Sequence, residues 1–197
     1  MAFKPSPTGN LVWVDIETTD LHPEAGKILE VACVVTSPDL DILDQINVIL
    51  KIEQGEESQW NKWCRNTHTK NGLIKDCVNN GINIRAAEGV LVKFLQGWVE
   101  RHVPTEAEAE LNIDYCPPLC GSGVAFDRKW LTHYMPVFMD LFSYRNVDVS
   151  VFYELFARSK RDFTAAHENL PSYPHRSMPD IHRSIEILKR YKQMLDF

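Results

Sequence analysis

The chain has 197 residues, of which 44% are hydrophobic and 24% charged, enough apolar side chains for the core of one globular domain spanning 1–197. Its net charge of −6 comes without a basic stripe, which argues against long duplex nucleic acid but not against a ligand with one or a few phosphates. No apolar run approaches the roughly 20 residues that cross a bilayer, so no membrane partner is expected.

The N-terminal stretch "MAFKPSPTGN" has neither an apolar signal core nor an Arg-rich presequence. A cytoplasmic protein is the expectation, with mitochondria as the alternative location. "LVWVDIET" (11–18) then reads as the first strand. "KILEVACVVTS" (27–37) and "LDQINVILKI" (43–52) read as two more, joined through the turn-rich "PDLD", so the three suggest an antiparallel meander. Residues 55–81 look helical in pieces, broken at Gly72 and at Asn79-Asn80-Gly81. From 84 to 99, Ile84, Ala87, Leu91, Leu95 and Trp98 recur at three- and four-residue steps, the mark of an amphipathic helix.

Residues 101–117 turn polar and acidic between Pro104 and Pro117, a connector or insertion rather than a domain boundary. "PLCGSGVAFDRKWLTHYMPVF" reads as a short strand, a Gly-containing turn and a helix, and "RNVDVSVFYELFARS" as another strand and helix. A last helix over about 179–195 carries Ile181, Ile185 and Leu188 on one side and Pro179 in its first turn. This order implies an α/β domain, a mixed sheet flanked by helices. The five cysteines include one close pair, Cys116-x3-Cys120, with no histidine at ligand spacing, and read as free thiols of a reducing compartment.

Asp15 and Glu17 are two apart on the first strand, so they share a face with Leu11 and Trp13, while Val12, Val14 and Ile16 point into the core. Convergent carboxylates suit Mg²⁺ or Mn²⁺. A solvated strand end or a salt bridge explains the same pair. Asp127 stands where a strand runs into a helix, which fits a site at a sheet edge and equally an acid favoured by a helix dipole. In "YPHRSMPDIHRS", Asp180 begins the last helix and His175 lies five residues earlier in a Pro-flanked loop, free to swing over a metal, or simply a surface histidine before a capping acid.

Together and in this order, the D-x-E pair, the later Asp and the H-x4-D resemble the DEDDh group of 3′→5′ exonucleases, whose fold is ribonuclease H-like. "WVDIETTDL", "WCRNTHTKNGL" (63–73), "SYRNVDVS" (143–150) and "HRSMPDIHRSI" (175–185) are similar to the oligoribonuclease family, which cleaves very short RNA. The resemblance implies two divalent ions, Mg²⁺ or Mn²⁺, held by Asp15, Glu17, Asp127 and Asp180. His175 would be the general base, since an imidazole of ordinary pKa, about 6.5, is mostly neutral at pH 7. It further implies that Leu21 wedges against a base, that Trp63 and His68 line its pocket, and that Tyr144 stacks on the other base across a homodimer interface. Arg145 and Ser150 would hold the 5′ phosphate of a short RNA, Arg as a bidentate fork. One departure is Gly123, where relatives often carry a phosphate-binding Ser. The rival readings are another exonuclease of this group acting on longer RNA or DNA, and a catalytically silent RNA-binding protein of the same fold.

Overall fold

Strand β1 (Leu11–Thr18) is the axis of the molecule, because both of its faces are apolar over most of its length. The computed structural model describes residues 9–99, 116–158, 167–170 and 173–195. β1 pairs antiparallel with β2 (Ile28–Thr36), which pairs antiparallel with β3 (Ile42–Ile49). On its other side β1 runs parallel to β4 (Leu119–Gly121), and β4 parallel to β5 (Asn146–Asp148). The five-stranded order is β3-β2-β1-β4-β5, a mixed sheet with the expected meander on one side. The third strand ends earlier than 52; Leu50 instead bridges Ile82. Gly81 makes that crossing fit, since a Cβ there would lie 2.5 Å from the Leu50 carbonyl oxygen.

The helices follow their caps. Asn61 accepts from the Cys64 amide at the start of α1 (Lys62–Lys70), and Gly72, at φ 81°, turns the chain into α2 (Leu73–Asn80). Asn83 accepts from Ala86 N at the start of α3 (Ile84–Gln96). α4 (Val124–Tyr134) and the one-turn α5 (Pro136–Met139) follow β4, α6 (Ser150–Ala157) follows β5, and α7 (Ser177–Leu195) closes the described chain.

The sheet buries two faces, not one. Val12, Val14, Ile16, Val31 and Cys33 pack with Ala87, Leu91 and Leu95 of α3 and with Trp130 and Leu131 of α4. Trp13, Ala32 and Val34 pack on the other face with Ile181, Ile185, Leu188 and Tyr191 of α7. Truncating a fully buried leucine such as Leu91 to Ala should cost about 2–5 kcal/mol. Asp15 and Glu17 therefore share the α7 face with Trp13, and the acids sit where that helix begins. The connector at 101–117 lies outside the described residues except for Cys116 and Pro117. No helix among the described residues is long and apolar enough to cross a membrane.

Candidate active site

β1 outruns its parallel neighbour. Pairing with β4 stops at Trp13↔Cys120, so the Ile16 amide beyond it has no β4 residue to pair with on that side. The Asp127 carboxylate, one turn into α4, takes that place and accepts from Ile16 N at 3.2 Å. On the other side Glu17 faces Glu30 of β2, and the β1–β2 register slips immediately afterwards, a bulge at the end of the ladder. Asp180 stands in the first turn of α7, whose positive dipole end points at these acids. Glu17, His175 and Asp180 each bring one ligand atom within 4.8 Å of the others.

The acids are packed more densely than their charges allow. Burial, then Asp127, Glu17 and Asp180, push the Asp15 carboxyl well above the usual carboxylate range. Burial and the nearby Asp180 and Glu30 raise Glu17 to about 8, against the opposing pull of Arg176. Burial raises Asp127 to about 8 despite its hydrogen bonds from backbone amides, and raises Asp180 to about 7 with help from Glu30. Asp180 Oδ1 is buried with no hydrogen-bond partner among the described residues. A buried carboxylate oxygen without a donor is costly, and a hard cation is the ligand this all-oxygen donor set suits.

His175 occupies the left-handed backbone region at φ 53°. Its ring meets Trp63 edge-on at 5.3 Å between centroids and Tyr173 at 4.7 Å. Trp63 exposes most of its side chain, so an apolar ligand face is available beside the histidine, and Leu21 is likewise exposed. His68 is different: it is fully buried behind Glu17, with Nε2 3.7 Å from that carboxylate, and burial lowers its pKa to about 4.

Tyr144, Arg145 and Ser150 are not brought to the acids. The register places Asn146 level with Leu119 and Val12, so Tyr144 and Arg145 lie at the end of the sheet away from Glu17. Arg145 stacks over Tyr144 at 5.0 Å, and the tyrosine ring is exposed. Ser150 lies at the acids' end but two strands away, and its hydroxyl donates to Asp148 at 2.7 Å. Asp148 also accepts from the amides of Gly123 and Val124, capping α4. Burial would raise the Asp148 carboxyl, but these hydrogen bonds outweigh it and hold it below the usual range. Gly123 sits at φ 81° as the N-cap of α4, a conformation a serine would adopt only with strain.

Sequence patterns alone do not single out Glu30, Arg176 and Asn71. Buried Glu30 accepts from Arg176 Nε and Nη2, Asn47 Nδ2 and Ser177 N. For Glu30 the signal is in the sequence: one acid in the otherwise apolar "ILEVACVVT" demands a partner.

Residues 12–188 match the RNase_T family, described as Exonuclease. The oligoribonuclease of Pasteurella multocida is 37% identical over 93% of this chain and 92% of its own length. That of Vibrio campbellii is 34% identical over 94% and 95%. Among solved structures, the zinc-bound exonuclease I–ssDNA complex of E. coli aligns at TM-score 0.64 and 14% identity, over 98% of this chain and 42% of that one. A 3′-exonuclease recognising the 3′ end of the histone mRNA stem-loop aligns at TM-score 0.62 and 16% identity, over 98% and 67%. At these identities the structures speak for the fold, a ribonuclease H-like mixed sheet between helices. With relatives matched along nearly its whole length and the acids on the central strand, the chain belongs to the RNase_T exonuclease family and stands with its oligoribonucleases.

Proposed function

We propose that this chain, one exonuclease domain, is a 3′→5′ exoribonuclease that hydrolyses short oligoribonucleotides, dinucleotides above all, to mononucleotides. The observation that carries the reading is the cluster of Asp15, Glu17, Asp127 and Asp180, raised in pKa and with a buried unpartnered oxygen on Asp180. Glu30 is paired with Arg176, whereas among the described residues these four carboxylates have no Lys or Arg ion-pair partner, a charge that two divalent cations would neutralise. Mg²⁺ or Mn²⁺ held by the four acids would polarise the phosphodiester and acidify the attacking water.

His175 would take a proton from the attacking water as the water's oxygen bonds to phosphorus. The bond to the 3′ oxygen would break, that oxygen taking a proton from solvent, and the terminal nucleotide would leave as its 5′-monophosphate. Buried, neutral His68 backs Glu17. Trp63 and Leu21 supply an apolar face for one base. Tyr144, Arg145 and Ser150 serve the other base and the 5′ phosphate of a second copy's substrate. The exposed Tyr144, Val151, Tyr153 and Leu155, on and before α6 at the β5 edge, support a homodimer there. Because Gly123 offers no hydroxyl, phosphate recognition leans on Arg145 and Ser150. Free thiols, four of them buried, support a reducing compartment, the cytoplasm.

The test is cleavage of 5′-labelled RNA of two, five and about twenty nucleotides, with Mn²⁺ or EDTA, by the protein and by His175→Ala. Metal-dependent cleavage fastest on the dinucleotide and lost in the variant is expected. Equal or faster cleavage of the longest RNA overturns the short-substrate claim, and no cleavage by folded, metal-supplied protein overturns the enzyme.

A further inference from the structure

His175 is held in a conformation that its own sequence disfavours. A left-handed backbone at a residue other than glycine costs on the order of 1–3 kcal/mol and persists only where surrounding contacts over-determine it. The preceding Pro174 and Tyr173 form no helix or strand that would impose it. Contacts from elsewhere in the chain do so instead.

Asn71, the residue that ends α1, reaches across to this loop. Its Nδ2 donates to the carbonyl of His175 at 2.6 Å and to that of Pro174 at 3.1 Å. Its Oδ1 accepts from Leu73 N at 3.1 Å, so the amide has one workable orientation: the opposite flip would set oxygen against two carbonyls. Its own carbonyl accepts from Arg176 Nη1 at 3.4 Å, and Arg176 is anchored in turn by Glu30 and Asp76. One side chain thus grips the carbonyls before and after the His175 Cα. Two donors fixed to consecutive carbonyls define the peptide planes flanking the histidine, and hence where its ring can point.

We infer that Asn71 is a positioning residue for His175: its side-chain amide clamps the Pro174 and His175 carbonyls and holds the imidazole over the acids. This rests on the reading of His175 as the base. The clamp acts on the reacting geometry more than on substrate affinity, because the Asn71 side chain bonds the loop's backbone and Leu73 N and not the exposed faces of Trp63 and Leu21. Displacing a catalytic group by about 1 Å can cost as much as a hundred-fold in rate.

Asn71→Asp keeps the shape and the acceptor for Leu73 N but removes both donors, and Asn71→Ser, neutral and shorter, keeps a hydroxyl acceptor while losing the reach. Both should lower kcat on a dinucleotide about ten-fold or more with KM within about two-fold. In the metal-free protein, amide hydrogen exchange at 175–177 should accelerate in both. In a His175→Ala background, measured under single turnover, either change should cost less than about two-fold, because the group it positions is gone. If His175→Ala alone leaves kcat intact, the base assignment falls. If His175→Ala abolishes turnover but kcat and loop exchange in both Asn71 variants match the parent, the clamp is refuted. An equal loss with and without His175 refutes it too, by showing that Asn71 acts elsewhere.

Discussion

Metal-free protein should become less stable as the pH rises from 6.5 to 8, the reverse of ordinary acid denaturation. The folded state holds Glu17 and Asp127 protonated up to about 8 and Asp180 up to about 7, whereas the unfolded chain releases those protons near 4. Within the window the folded state therefore binds more protons than the unfolded one, and stability falls with pH. Each such proton costs about 1.4 kcal/mol per pH unit, so Glu17 alone, moved from 4.5 to about 8, corresponds to about 5 kcal/mol across its full range. The acids share protons, so losses do not add. A drop on the order of 2–3 kcal/mol between pH 6.5 and 8 is the expectation. Below 6.5 the sign is mixed: His68, lowered to about 4, makes stability rise with pH between about 4 and 6.5. Urea unfolding in EDTA at half-unit steps reads the slope. Glu17→Gln should flatten it and leave the metal-free protein more stable than the parent at pH 8, while Mg²⁺ should abolish the fall in the parent. A flat or rising profile in EDTA from 6.5 to 8, or a Glu17→Gln variant less stable than the parent at pH 8, would refute the reasoning.

Three further outcomes follow from single contacts. Asp148→Ala strips the cap from α4 and the partner from Ser150, and chemical denaturation should show a loss of about 1–3 kcal/mol. Arg176→Ala leaves Glu30 buried without its guanidinium and should cost about 3–5 kcal/mol, partly recovered by adding Glu30→Gln, as a double-mutant cycle of unfolding free energies would show. Trp63→Ala removes an exposed ring from beside His175 and should raise KM for a dinucleotide several-fold in steady-state kinetics while leaving thermal stability nearly unchanged.

What the sequence reveals and what it conceals divide along physical lines. Alternation in β1 and the three- and four-residue steps of α3 are local, so the strand faces and the Ala87–Leu91–Leu95 stripe are readable directly. The last helix begins at Ser177, two residues before the expected 179, because Glu30 of β2 accepts the Ser177 amide and lets the helix start earlier. That partner is 147 residues away, and no local pattern announces it. The same holds for Asn71 and the His175 carbonyl, separated by 104 positions. His68 shows the limit from the other side: its spacing in "WCRNTHTKNGL" is visible, but burial behind Glu17 depends on how α1 packs on the end of β1.

Glu17 and Glu30 stand opposite each other on neighbouring strands and differ in how the protein answers their charge. Glu30 receives a guanidinium, an amide side chain and a helix amide, so its lone pairs are occupied by the protein itself. Glu17 has a neutral histidine 3.7 Å away and three acids within electrostatic reach, and Asp180 keeps an oxygen with no donor. A sequence selected for stability alone would treat both glutamates alike, since donors for one were evidently within reach of the fold. Satisfying Glu30 fixes Arg176, and with it the loop that carries His175. Leaving Glu17 and Asp180 unsatisfied keeps their oxygens for a cation. The structural acid and the acids of the site are thus told apart by their hydrogen-bond partners, with no need of their position in the chain.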